Sequence, residues 1–256
     1  MEMPYNLIPV VIVGPESWKS FGILNPNAFS SDLKSDVMAC ADKLALISYS
    51  IQIIQKEISR DLNEFIKELN YGDAFKDFIP DLQKPTIAIY HNMSFQAGLQ
   101  SFFITTKSML DIYARIISKA IKPGSRLFGF NKAKVGGKKV VGGSLLNFVN
   151  QNAPKSYADK EKLIGILSSH IDNWISDVVK FRDKIVHEGE LTDLMKMCVP
   201  LSKKPQTIIK DEITLPSIRD KGNVLEYCQL IQKNINRMLK ETLVLLPNVN
   251  TKLIAL

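Results

Sequence analysis

The sequence is expected to fold as an all-α protein, a helical bundle of long helices with a basic Gly-rich insert and a small β-hairpin-like insert. Three observations point to that class. Apolar residues recur at steps of three and four over stretches much longer than a strand. Proline falls between those stretches, as do the glycines except Gly98 and Gly165, and a hairpin-like pair of β runs lies near residue 200. A chain of 256 residues with 45% hydrophobic content can bury a sizeable core, and it reads as a single domain over 1–256 without internal repeats.

Residues 1–31 form an N-terminal arm. Its apolar run Leu7–Val13 is broken by Pro9, lacks a preceding basic region and is too short to span a membrane, so it reads as a strand or packed arm and not as a signal peptide. The first helix covers Asp32–Asn70, with the stripe Leu44, Ile47, Ile51, Ile54, Ile58, Leu62, Phe65, Leu69, and ends at Tyr71-Gly72. Pro80 and Pro85 mark a connector. The second helix covers Ser94–Ile121, turns Leu99, Phe102, Met109, Tyr113, Ile116 and Ala120 inward, and stops before Pro123-Gly124.

The insert, 122–155, holds a basic glycine-rich loop, Gly124–Gly143, and a short helix near Ser144–Gln151. Glycines 129, 136, 137, 142 and 143 are expected to leave that loop mobile until a ligand orders it. A long helix then runs from Tyr157, after the capping pattern Ser156-x-x-Asp159, to Glu188 on the stripe Ile164, Leu167, Ile171, Trp174, Ile175, Val178, Phe181, Ile185. Within 194–218, the runs Met195–Pro200 and Thr207–Thr214 flank Lys203-Lys204-Pro205 and suggest a hairpin. A last helix, Asn223–Leu246, ends before Pro247.

Net charge is +7, and it is unevenly placed. Between Asp111 and Asp159 there is no acid but nine bases: Arg115, Lys119, Lys122, Arg126, Lys132, Lys134, Lys138, Lys139 and Lys155. Removing these from the 33 basic residues leaves 24 against 26 acids, so one segment carries the whole basic excess. Such a cluster is either the footprint of a polyanion, RNA or DNA, or a solvated charged loop. Arg126, Lys132, Lys134, Lys138 and Lys139 are the candidate RNA-binding residues.

Several chemistries are disfavoured. Cys40, Cys198 and Cys228 are far apart, odd in number and without C-x-x-C spacing, which argues for a reducing cytoplasmic setting and against a disulfide framework or zinc site. Gly136-Gly137-Lys138-Lys139 and Gly142-Gly143-Ser144 do not fit a P-loop. His187-Glu188 begins like a zinc-protease motif, but Leu191 stands where the second histidine belongs. No metal, cofactor or membrane is expected. His91 and His170 read as structural or surface residues, Trp174 and Phe102–Phe103 as core, and Lys107 with Asp111 as a solvent-facing pair one turn apart.

The densest chemistry lies in Phe181–Glu190, FRDKIVHEGE, at the end of the long helix. Gly189 is placed as the residue that ends it, so His187 falls in the last turn, where the negative end of the helix dipole favours imidazolium. Asp183 precedes His187 by four residues and is placed to orient its ring. Arg182 and His187 stand roughly 140° apart on an ideal helix, so the arginine borders the apolar stripe and the histidine points away from it. An arginine, a carboxylate and a histidine together can hold a phosphate and move a proton at neutral pH.

This arrangement resembles the R-x(4–6)-H motif of the HEPN superfamily, the "higher eukaryote and prokaryote nucleotide-binding" helical domains. The residue after the arginine is polar in that family, and here it is Asp183. The resemblance implies a metal-independent endoribonuclease acting by 2′-hydroxyl attack, with Arg182 as phosphate clamp, His187 as general acid or base, Asp183 as its orienting partner, and a homodimer whose two motifs share one site. It also implies an alternative, a non-catalytic HEPN domain binding nucleotide, RNA or a protein partner such as an antitoxin or regulator, within a toxin–antitoxin or phage-defence system. A helical interaction protein with a merely structural Arg–Asp–His cluster is the remaining possibility.

Overall fold

In the computed structural model the described residues are 24, 26–69, 86–90, 93–125, 127, 129–188, 196–200, 216–218, 220–250 and 252. The chain is mostly helical, with small antiparallel β pairs. A 3-10 turn, Pro26–Ala28, leads into α1 (Ser31–Leu69). There follow β1 (Thr86–Tyr90), α2 (Met93–Ile121), β2 (Ala133–Val135), β3 (Lys138–Val140), α3 (Gly143–Asn152) and α4 (Lys160–His170). A π-helical segment, Ile171–Ile175, joins α4 to α5 (Ser176–Glu188). Then come β4 (Lys196–Pro200), β5 (Ser217–Ile218), β6 (Gly222–Asn223) and α6 (Val224–Leu243). The expected arm, residues 1–31, lies almost wholly outside the described residues, as does the run Thr207–Thr214.

The chain divides into two compact units, and the divisions fall inside the long helices. The first unit takes Met1–Ala45, Met109–Leu167 and Met238–Leu256. Its core includes Leu33, Val37, Cys40, Tyr113, Ile116, Ile117, Val149, Leu163, Leu239 and Leu243. The Thr242 hydroxyl donates to the Met238 carbonyl at 2.6 Å, so the 2.5 Å contact between Tyr113 Oη and Thr242 Oγ1 has the phenol as donor. Burial pushes the Tyr113 phenol well above its ordinary value, which keeps it a donor throughout the physiological range. The Tyr157 hydroxyl ties the α3–α4 connection to the chain after α6 by donating to the Leu245 carbonyl at 2.6 Å.

The second unit takes Leu46–Ser108 and Ser168–Arg237. Ile47, Ile51, Ile54, Leu99, Phe102, Phe103, Trp174, Val178, Ile231 and Ile235 are among its buried residues. Here α1 and α2 run antiparallel at close range, with Ser50 donating to Ser101 at 3.1 Å. Gly98 is needed for that approach, since a Cβ there would stand 2.9 Å from Ile53 Cγ2. The β1–β4 pair is antiparallel and in register from Thr86 opposite Pro200 to Tyr90 opposite Lys196.

Two sequence expectations require correction. Residues after Pro85 are not connector: Thr86-Ile-Ala-Ile-Tyr90 is a β-branched and aromatic run that pairs with β4. The first run of the expected 194–218 hairpin therefore has a partner more than a hundred residues upstream. The glycine-rich loop is also structured, as the β2–β3 hairpin.

The long helix contains an irregularity that periodicity alone does not reveal. Leu163, Leu167, Ile171, Ile175 and Val179 are all buried, at uniform steps of four. On an ideal α-helix those sixteen residues would accumulate a rotation of about 160° and carry Val179 to the other side. The π segment, closed by Ser176 N–H donating to the Ile171 carbonyl, turns less per residue and offsets part of that drift. Its start is fixed by a buried bond from Trp174 Nε1–H to His170 Nδ1 at 2.8 Å, so His170 and Trp174 are core residues as expected. The helix also starts late. Turns closed by Tyr157 N–H to Pro154 and by Lys160 N–H to Tyr157 precede it, and α4 begins at Lys160 rather than Tyr157.

Candidate functional site

The Arg–Asp–His motif occupies the last two turns of α5, in the second unit. Phe181 anchors that end. Its ring packs 5.3 Å from Phe103 and 6.1 Å, edge-on, from Tyr227, and so fixes the rotation of α5 about its axis. Arg182, next in sequence, borders this packed side and is half-buried. Arg182 Nη1 lies 3.2 Å from Asp183 Oδ1. Its Nε is buried and has no hydrogen-bond partner among the described residues. A buried cationic donor left unsatisfied is costly, so this edge of the guanidinium is predisposed to accept an incoming anion.

His187 is exposed in the final turn, next to exposed Val186, as expected from its position on the helix. The Asp183 carboxylate meets the Arg182 guanidinium. The Glu188 side chain and Gly189 lie outside the described residues. Among the described residues, no group of three or more His, Cys, Asp and Glu side chains is placed to hold a metal ion.

The basic insert belongs to the first unit. Gly136 and Gly137 both have positive φ, 56° and 82°, the conformation a two-residue type I′ turn demands. The ladder sets Lys134 opposite Lys139 and Val135 opposite Lys138. The hairpin is held at its base. Asn147 Nδ2 donates to the Lys134 carbonyl at 2.9 Å, and Ser144 Oγ donates to the Gly129 carbonyl at 3.0 Å. Asp111 Oδ1 accepts the Phe130 amide at 2.8 Å, an approach that leaves no room for a Cβ at Gly129. Lys132, Lys134, Lys138 and Lys139 are exposed, while Arg126 lies outside the described residues.

Two features were not legible in the segment itself. Arg115 and Lys119 both engage the largely buried Asp36 of α1, at 3.2 and 2.7 Å, which offsets one of their two charges. The signal lay on another helix, where a window confined to residues 111–159 could not find it. Lys107 is buried rather than solvent-facing, and Asp111 serves the insert.

No protein-family model matches the chain, and no curated protein or solved structure matches it either. One stretch of α1, Ser31–Ser59, is long and apolar enough to cross a membrane by length and composition. Its buried Asp36, ion-paired to α2, and its Ser50–Ser101 bond give it the features of a core helix. Cys40 and Cys228 are free, buried thiols. Burial, with the Asp36 carboxylate adding, raises Cys40 to about 12, and burial also pushes Cys228 up, so neither is an activated nucleophile.

Proposed function

We propose that the chain is a metal-independent endoribonuclease of HEPN type, its helices forming a HEPN-like bundle. The observation that carries this proposal is the half-buried Arg182, tethered through Nη1 to Asp183 with its Nε unpaired among the described residues, five residues before an exposed His187. Arginine offers a planar fork of donors suited to phosphate, and imidazole can give or take a proton near neutral pH.

In the proposed reaction the ribose 2′-hydroxyl attacks the adjacent phosphorus, the bond to the 5′-oxygen breaks, and a 2′,3′-cyclic phosphate and a 5′-hydroxyl result. Arg182 clamps the non-bridging oxygens and offsets the charge that builds on them in the transition state. His187 takes the 2′-hydroxyl proton or gives one to the leaving oxygen. Asp183 keeps the guanidinium aimed. In-line transfer needs a base on one side of phosphorus and an acid on the other, and each chain supplies one such histidine. A two-fold homodimer with facing motif helices provides the second, and the exposed Val186 beside His187 gives that face an apolar contact.

Lys132, Lys134, Lys138 and Lys139 are proposed to bind RNA backbone, with Arg115 and Lys119 engaged instead by Asp36. Incubating the purified protein with RNA in EDTA, beside His187→Ala and Arg182→Ala, tests the proposal: chelation should spare cleavage and either substitution should abolish it.

A further inference from the structure

The β2–β3 ladder sorts its lysines onto two faces. Lys134 opposes Lys139 on one, while Ala133, Val135, Lys138 and Val140 alternate onto the other. That second face is half-buried at Ala133, Val135 and Val140. Helix α3 starts hard against β2, since a Cβ at Gly143 would stand 2.5 Å from the Ala133 carbonyl oxygen. Val135 and Lys138 flank the two-residue turn and exchange the ladder bonds there, so the next pair, Lys134 and Lys139, is a non-hydrogen-bonded one. Such pairs bring their Cα atoms to about 4.5 Å. Both lysines are exposed, and neither ammonium has an ion-pair or hydrogen-bond partner among the described residues. Neighbouring bases are answered: Arg115 and Lys119 meet Asp36, and Lys122 Nζ donates to Asn152 at 3.1 Å. Two unanswered like charges held directly opposite one another cost stability, and an anion seated across them removes that cost.

We infer that Lys134 and Lys139 form a preformed contact for neighbouring phosphates of one RNA strand, made to the backbone alone, with Lys138 outside it. This deepens the proposed RNA contact of the insert and rests on it. The contact is preformed because the positive-φ Gly136-Gly137 turn and the bond from Asn147 to the Lys134 carbonyl hold the hairpin without a ligand. It reads no bases. The exposed residues within Ala133–Val140 are lysines and glycines, with no ring for a base to stack on and no planar donor–acceptor pair to match a base edge. Lys138 adds to the field of the hairpin from the other face and touches no phosphate.

The test is fluorescence anisotropy across a salt series with labelled 2′-O-methyl oligoribonucleotides, which lack the attacking hydroxyl and stay intact. Three are used: oligo(U), oligo(C) and a mixed sequence. Wild type should bind all three alike at each salt concentration. Lys134→Gln and Lys139→Gln should each lower the slope of log affinity against log salt by about 0.7, and Lys138→Gln should leave it unchanged. Without RNA, Lys134→Gln and Lys139→Gln should melt at or above the wild-type temperature, since each removes one of two repelling charges. A slope lowered equally by Lys138→Gln overturns the one-face assignment, and a marked preference for one sequence overturns the backbone-only contact. Unchanged slopes in Lys134→Gln and Lys139→Gln, or no binding by wild type, overturn the contact altogether. Binding is read apart from cleavage, so those results leave Arg182 and His187 to their own test. The expected slopes in a protein that does not cut RNA uphold the contact and remove only the catalytic role.

Discussion

Replacing Lys134 and Lys139 together with glutamine should weaken RNA binding without weakening the fold. The β2–β3 register sets these two residues directly opposite one another, and both are exposed. Like charges at opposed positions of an antiparallel pair repel, so the double substitution should leave stability unchanged or raise it by roughly 0.2–1 kcal/mol. The hairpin should persist, because its turn rests on Gly136 and Gly137 and its base on Asn147, Ser144 and Asp111, none of which is altered. Binding should respond differently. Each phosphate neutralised on a single strand contributes about 0.7 to the slope of log affinity against log salt, so losing two contacts lowers the slope by about 1.4. Between about 50 and 200 mM salt that corresponds to roughly a sevenfold smaller loss of affinity than wild type shows. Fluorescence anisotropy with a labelled single-stranded oligoribonucleotide across a salt series measures it. An unchanged slope would show that these lysines are only solvated charge.

Two further outcomes follow from the packing. Trp174→Phe removes the buried hydrogen bond to His170 Nδ1, which should cost about 1–3 kcal/mol in urea denaturation; a loss below about 0.5 kcal/mol would mean the bond does not secure the π segment. Burial raises the Cys40 thiol from 9.0 to about 12, so the folded chain keeps a proton that the unfolded chain releases. That contribution is complete below pH 9 and is lost as pH rises toward 12, with Tyr157, raised from 10.0 to about 12, acting in the same direction. Melting temperature should therefore fall over that window and fall less in Cys40→Ala; identical profiles would contradict it.

The long helices were legible because each carries an apolar stripe across many turns, and α1, α2 and α3 lie within a residue or so of their expected bounds. What was not legible depends on distant partners. Thr86–Tyr90 has strand chemistry, but its pairing with Lys196–Pro200 is non-local, and flanking prolines made a connector the natural expectation. Asp36 engages both Arg115 and Lys119, offsetting one of their two charges, only because α1 and α2 run antiparallel. The Gly136-Gly137 pair was read for its freedom, whereas two residues at positive φ between short β-capable runs specify a tight turn. For the candidate site, helical phase alone placed Arg182 at the border of the packed side and His187 outward. Asp183's pairing with Arg182 depends on side-chain geometry that phase does not determine.

Cleavage of RNA by the purified protein in EDTA, with His187→Ala and Arg182→Ala in parallel, is the decisive measurement. Wild type should cut under chelation and leave 2′,3′-cyclic phosphate ends, while each variant loses about 10²–10⁴-fold in rate with its helical circular dichroism intact. Cleavage that stops in EDTA and returns with magnesium or manganese, or that persists undiminished in both variants, would contradict metal-independent catalysis by Arg182 and His187.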